Sequence, residues 1–154
     1  MIKLYIGNKN YSSWSMRPWV LLKQAGIDFE EVMVRFDSFE SQSQFKTTLA
    51  PLSPTGKVPL LKTEHGVIAD SLAIAEYLNE RHPEAQLWPA DVAARAQARS
   101  ACAQMHSGFF ALRGNMPFDL SRDAPLVMQL YLNTHDSMNR IYPYFDVLKQ
   151  LLLC

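Results

Sequence analysis

The sequence predicts an α/β fold in its first half, ordered β-α-β-α-β-β-α, followed by an all-helical second half. Three observations carry this. Apolar residues recur at period two in short runs near the N-terminus and around residues 58–69, the mark of half-buried strands. Runs between them keep helical spacing instead. Strand signals then stop at a segment bounded by His82-Pro83 and Trp88-Pro89.

Ile2, Leu4 and Ile6 alternate as a first strand. Trp19, Val20, Leu22 and Lys23 follow at helical spacing, and Ala25-Gly26 is the stop, with glycine taking the left-handed position after the last turn. Phe29, Val32 and Val34 predict a second strand, and Asp37 to Leu49 a short irregular helix. A proline-rich loop at Pro51, Pro54 and Pro59 leads into Val58-Pro59-Leu60-Leu61. That run and Gly66-Val67-Ile68-Ala69 flank a turn at Glu64-His65-Gly66, which is hairpin spacing. Asp70-Ser71 opens a helix with Leu72, Ile74, Ala75 and Leu78 on its apolar face. Beyond the proline-bounded linker, Asp91 to about Gly114 reads as one long helix, and Ala124 to about Tyr142 as another. The boundaries predicted are 1–82 for the first domain and 90–154 for the helical one.

At 154 residues the chain can bury roughly 70% of its unfolded surface, enough for a real core. Hydrophobic residues at 48% against 19% charged mark a soluble globular chain rather than a disordered one. Fifteen basic and fifteen acidic side chains cancel, with no basic stripe, so nucleic acid and acidic membrane surfaces are not expected partners. No stretch reaches the roughly 18 apolar residues of a membrane span, and the N-terminus lacks a signal-peptide core. Cys102 and Cys154 belong to no metal-ligand or Cys-x-x-Cys pattern. No metal and a cytoplasmic location are therefore expected, with Cys102 an inert core residue.

Three short motifs carry chemistry. Tyr11-Ser12-Ser13-Trp14-Ser15-Met16-Arg17-Pro18 lies between the first strand and first helix. Pro18 suits a first helical turn, which puts Ser12 to Ser15 at the helix entrance, where free N–H groups favour negative charge. Lys57-Val58-Pro59 leads into the third strand. A cis proline there would turn the Val58 backbone outward to pair with an extended peptide. Asp70-Ser71 stands at the mouth of the third helix, the serine suited to a carboxylate and the aspartate to an ammonium. Taken singly, each is better read as an ordinary helix cap or loop proline.

Together, in the order Ser12…Val58-Pro59…Asp70-Ser71, they resemble the glutathione S-transferase superfamily, and Ser12 to Arg17 resembles the serine motif of its zeta and tau classes. Trp14 stands where zeta members carry cysteine. The resemblance implies a thioredoxin-like glutathione-binding domain, with glutathione as co-substrate, a small hydrophobic electrophile, a role in detoxification and a homodimer. It assigns Ser12 as the thiol-activating residue with Ser13 beside it. Val58 would pair with the cysteinyl backbone next to Lys57, Pro59 would be the cis-proline, and Asp70 and Ser71 would hold the γ-glutamyl end. Gln44 falls near the glycyl end. Trp14, Met105, His106 and Phe109 are the residues it places toward the electrophile, with core packing the alternative for Met105 and Phe109 and a structural role the alternative for His106. Thioredoxins and glutaredoxins place Cys-x-x-Cys where this chain has Ser12 to Ser15, so disulfide exchange by a protein cysteine there is excluded.

The thiolate is the nucleophile, and a free thiol has a pKa of about 8.5. Lowering it by about two units takes roughly 2.7 kcal/mol. A hydrogen bond to a charged group contributes about 1.5–3 kcal/mol and a helix N-terminus about 0.3–1, so one serine hydroxyl and one helix end suffice.

The family's helical domain continues for several more helices, whereas this chain ends at Cys154, and the second half therefore reads as truncated. Two functions are carried forward: a transferase or isomerase using glutathione, and a glutathione- or partner-binding module with little turnover.

Overall fold

Side chains along a strand alternate between its two faces, and β1 (Lys3–Ile6) follows that rule: Leu4 and Ile6 are fully buried, Lys3 and Tyr5 only partly covered. The computed structural model, which describes residues 1–115 and 117–120, continues with α1 (Ser13–Gln24), β2 (Glu30–Met33), α2 (Gln44–Leu49), β3 (Leu60–Thr63), β4 (Gly66–Ala69) and α3 (Ser71–Arg81). This is the thioredoxin-like β-α-β-α-β-β-α series. Gly26 ends α1 with φ 65°, the left-handed conformation that glycine adopts without a Cβ penalty.

The strands lie in the order β2-β1-β3-β4. β2 runs parallel to β1, which requires a crossover, and α1 is that crossover. β3 is antiparallel to β1, and β4 to β3 through the Thr63–Gly66 hairpin. The register then decides what meets where. Ile6 pairs Met33, Tyr5 pairs Leu60, and Leu60 pairs Ala69. The C-terminal ends of β1, β2 and β4 and the start of β3 therefore share one end of the sheet.

Both faces are covered. Leu4, Ile6 and Leu61 pack with Leu22 of α1 and with Ile74 and Leu78 of α3. On the opposite face Leu60 and Val34 pack with Phe45 and Leu49 of α2. Adjacent residues Leu60 and Leu61 thus serve different cores, as the period-two geometry requires. The exposed edge strand β2 is guarded by charge: Lys3 pairs Glu30 at 2.7 Å and Lys9 pairs Glu31 at 2.8 Å.

Three expectations are corrected here. Pro18 is not in the first turn of α1, because the helix starts at Ser13 and places Pro18 six residues in. The missing N–H deprives the Trp14 carbonyl of its helical donor, while the fixed proline φ remains compatible with the helix. The helix expected over 91–114 is two: α4 (Val92–Ser107) and α5 (Phe110–Asn115). Gly108 leaves helical geometry at φ −128° and ψ −164°, and a Cβ there would sit 2.8 Å from the Gln104 carbonyl oxygen. The Arg113 guanidinium donates to the Gly108 and Met105 carbonyls, taking up acceptors that the break releases. Cys102 is exposed on α4 rather than buried, since only Ala98 of that helix reaches full burial. The helix expected over 124–142 lies outside the described residues.

The chain divides into two compact units, Met1–Leu87 and Trp88–Cys154. Among the described residues no helix is long and apolar enough to cross a membrane.

Candidate functional site

Because β1 and β4 end, and β3 begins, at the same end of the sheet, the three motifs that follow or precede them gather there. Ser12 and Ser13 follow β1, Val58-Pro59 precedes β3, and Asp70-Ser71 follows β4. The loop after β2 leaves from the same end and leads to Gln44 at the start of α2.

Ser12 is the N-cap of α1 and only 6% exposed. Its hydroxyl accepts from the Ser15 backbone N–H at 3.3 Å and donates to Ser15 Oγ at 2.8 Å. Ser15 Oγ also accepts from the Gly7 N–H at 3.0 Å. Gly7 itself is held close: a Cβ there would stand 2.3 Å from the Phe36 ring. Ser13 is the first residue of α1 and half-buried. Trp14 follows, with the Arg17 guanidinium stacked 4.1 Å from its ring centroid.

On the β2 side, Gln44 is exposed at the first position of α2. The Asp37 carboxylate receives the N–H groups of Gln44 at 2.8 Å and Phe45 at 3.0 Å, which closes the loop onto the helix start. Backbone N–H groups donating to it, that of Phe45 first and then that of Ser38, hold the Asp37 pKa below its ordinary value. A depressed folded-state value means that the unfolded chain binds the proton more readily, so the contribution to stability is present above the ordinary Asp pKa. It is lost as pH falls through the lower folded value. The stability difference between wild type and Asp37→Asn should accordingly shrink when thermal melts are moved from near-neutral pH to below the carboxylate range, and a difference that persists there would rule this anchor out.

Lys57 is exposed, and Val58 is half-buried just ahead of β3. The Val58–Pro59 peptide bond is cis, as expected. Gly56, two residues earlier, has φ 53° and offers its carbonyl to Lys46 Nζ at 2.8 Å. Asp70 caps α3 by accepting from Leu72 N–H at 2.8 Å and Ala73 N–H at 3.4 Å. It does so at φ 87°, a conformation that costs a residue with a Cβ about 1–3 kcal/mol and collects at ligand clamps. Ser71 is buried at the first position of α3.

Met105 and His106 are half-buried near the end of α4. Phe109 is not on the long helix where it was expected; it lies between α4 and α5, 4% exposed and at φ 62°. Among the described residues no group of three His, Cys, Asp or Glu side chains is placed to hold a metal ion.

Two features went unread in the sequence. Ser15 is 1% exposed and carries two polar contacts, and its spacing three residues beyond a capping serine was the available signal. Asp37 acts across seven residues of loop, a separation that no capping pattern covers.

Residues 11–81 match the family described as Glutathione S-transferase, N-terminal domain. The chain is 36% identical over 110 residues to maleylacetoacetate isomerase of Rattus norvegicus, a match covering 71% of this chain and 50% of that protein. It is 39% identical over 85 residues to a zeta-class glutathione S-transferase of Euphorbia esula, covering 55% of this chain and 36% of that one. Among solved structures, a glutathione transferase homologue from Burkholderia with bound glutathione superposes with a TM-score of 0.60 at 36% identity, over 72% of this chain and 56% of the other. The chain spans half or less of the length of these two curated relatives.

Proposed function

Residues 11–81 belong to the glutathione S-transferase N-terminal domain family, and from that premise we propose that the chain binds glutathione at this end of its sheet and holds its thiol as a thiolate on Ser12, for attack on a small electrophile. The observation that carries the reading is the strand register, which gathers Ser12, Val58-Pro59 and Asp70-Ser71 at one end of the sheet.

Each part of a γ-glutamyl tripeptide then has a counterpart of suitable chemistry. The thiol meets the Ser12 hydroxyl and the N-terminus of α1, whose first N–H groups have no intrahelical acceptor. The cysteinyl backbone pairs with Val58, one step of strand addition ahead of β3. The γ-glutamyl carboxylate meets Ser71 and the first turn of α3, and its ammonium meets Asp70. Gln44 and Lys57 serve the glycyl end, with Ser13 beside the thiol. Residues 1–82 are the glutathione-binding domain in this reading. The bound thiolate either adds to the electrophile or, as the name of the rat relative indicates for that protein, isomerises it.

The thiolate absorbance of bound glutathione, followed against pH, tests site and mechanism together. An apparent pKa about two units below the free value of about 8.5 is expected, and an unshifted titration with saturating glutathione would refute the mechanism. Ser71→Ala should weaken glutathione binding several-fold, on the scale of about 1 kcal/mol for one hydrogen bond, while leaving the thiol pKa in place. A shift in pKa equal to that of a Ser12 variant would count against separate roles.

A further inference from the structure

The parallel ladder of β1 and β2 runs one rung past both strands, and that last rung is not backbone to backbone. The N–H of Glu30 donates to the Ile2 carbonyl at 2.9 Å, and that of Val34 to the Ile6 carbonyl at 2.8 Å. The same separation, 28 residues, carries the next N–H of the series, that of Phe36, to Asn8. There the acceptor is the side-chain Oδ1 of Asn8, at 2.8 Å, and not its carbonyl. The carbonyl is already taken. It accepts from the N–H groups of Tyr11 at 3.1 Å and Ser12 at 2.9 Å, which uses both of its lone pairs. Phe36 is held against this point by its ring, which closes on Gly7 where a Cβ would stand 2.3 Å away.

We propose that Asn8 is a positioning residue for Ser12: its side-chain oxygen takes the last rung of the ladder, so that its carbonyl can turn the chain and fix the Ser12 N–H at the mouth of α1. The inference rests on the reading of Ser12 as the donor to the thiolate. Asn8 and Phe36 are both half-buried, and a partly buried N–H left without an acceptor is costly. Without the Asn8 side chain, the Phe36 N–H competes for the Asn8 carbonyl, as the next rung of a parallel ladder would. A carbonyl drawn toward Phe36 loosens its hold on Tyr11 and Ser12, and the Ser12 hydroxyl leaves its line to sulfur. Hydrogen bonds weaken steeply as their angle departs from linear, so a small displacement is enough. Asn8 acts only through Ser12.

Two measurements on the 154-residue chain test this. In amide hydrogen exchange without ligand, Asn8→Ala should speed exchange at Tyr11 and Ser12 by about tenfold, while Phe36 stays protected by the carbonyl it has captured. Unchanged exchange at Ser12, or lost protection at Phe36, would overturn the proposal. With glutathione bound, Asn8→Ala should raise the thiol pKa, read from thiolate absorbance, by about half to one unit, and Ser12→Ala by about two. In the Ser12→Ala background, Asn8→Ala should add nothing, and an equal shift in both backgrounds would overturn the proposal. Asn8→Asp keeps an oxygen at the same reach and should bring both readouts back toward wild type. It is read at about 1 M salt, where a Debye length of about 3 Å screens the added charge, and a deficit equal to that of Asn8→Ala counts against the proposal. If Ser12→Ala raises the pKa and Asn8→Ala does not, the proposal fails and the reading of Ser12 stands. If glutathione fails to bind, or Ser12→Ala leaves its pKa unchanged, both fall. Should Asn8→Ala not fold, Asn8→Ser, whose oxygen is one bond too short for the rung, takes its place with the same expectations.

Discussion

Ser12→Ala is expected to lower glutathione-dependent turnover by about 100-fold, measured with a generic aryl halide at saturating glutathione. The size follows from charge. One hydrogen bond to an anion contributes about 1.5–3 kcal/mol, and each 1.36 kcal/mol is a factor of ten in rate. Ser12 is 6% exposed, so little water stands ready to replace its hydroxyl. The loss should track the rise in thiol pKa: a rate deficit near neutral pH that narrows as pH climbs toward about 8.5, where an unassisted thiol ionises by itself. Glutathione affinity should change much less, since Val58, Asp70 and Ser71 are untouched. The substitution also removes the acceptor for Ser15 N–H, a cap worth about 1 kcal/mol of stability, so the variant must be compared below its own melting range. Full turnover in Ser12→Ala, with Ser13→Ala inactive, would move the role one residue along α1.

The element order and the sheet were legible because burial imposes a period. Leu4 and Ile6 in β1, and Ile74 and Leu78 in α3, are fully buried where their spacing required. The three motifs were also legible, because each sits at a helix mouth or strand start that capping and proline chemistry mark locally. What the sequence hid depends on tertiary geometry. The start of α1 lies earlier than Pro18 suggests, because the Ser12 cap sets it and the helix carries the proline at its sixth residue, at the cost of the Trp14 carbonyl's donor. The break at Gly108 had a local signal, the Ser107-Gly108 pair inside the helical run. What lay out of sight was the Arg113 guanidinium, which reaches back to the Gly108 carbonyl at 3.1 Å. Asp70 was legible as a helix cap or an ammonium partner, while its φ of 87° has no local signature in an Asp-Ser pair.

Leu61→Ala is expected to destabilise the N-terminal unit by about 2–5 kcal/mol, toward the upper half of that range. Leu61 is fully buried on β3, an inner strand of the sheet, paired with Leu4 of β1 on one side and Ile68 of β4 on the other. Its neighbours Leu4, Ile6, Leu22, Ile74 and Leu78 are all fully buried. Those on strands are held by register and those on α1 and α3 by full-length helices, so the site can collapse only slightly around the missing carbons. The cavity term therefore adds to the lost transfer term. Leu60→Ala is the control. Leu60 is also fully buried, but its face is closed by α2, a six-residue helix anchored through Asp37. A short helix can settle inward, so a smaller loss is expected there. Against a typical total of about 5–15 kcal/mol, Leu61→Ala should shift the denaturant midpoint far more than Leu60→Ala at an unchanged slope. Folded Leu61→Ala, examined well below its midpoint, should keep the thiol pKa of bound glutathione, because the variant alters the core and none of the groups proposed to meet the thiol. Equal losses for Leu60 and Leu61 would mean that α2 is as rigid a cover as α1 and α3, and that rigidity of the cover does not decide the cost.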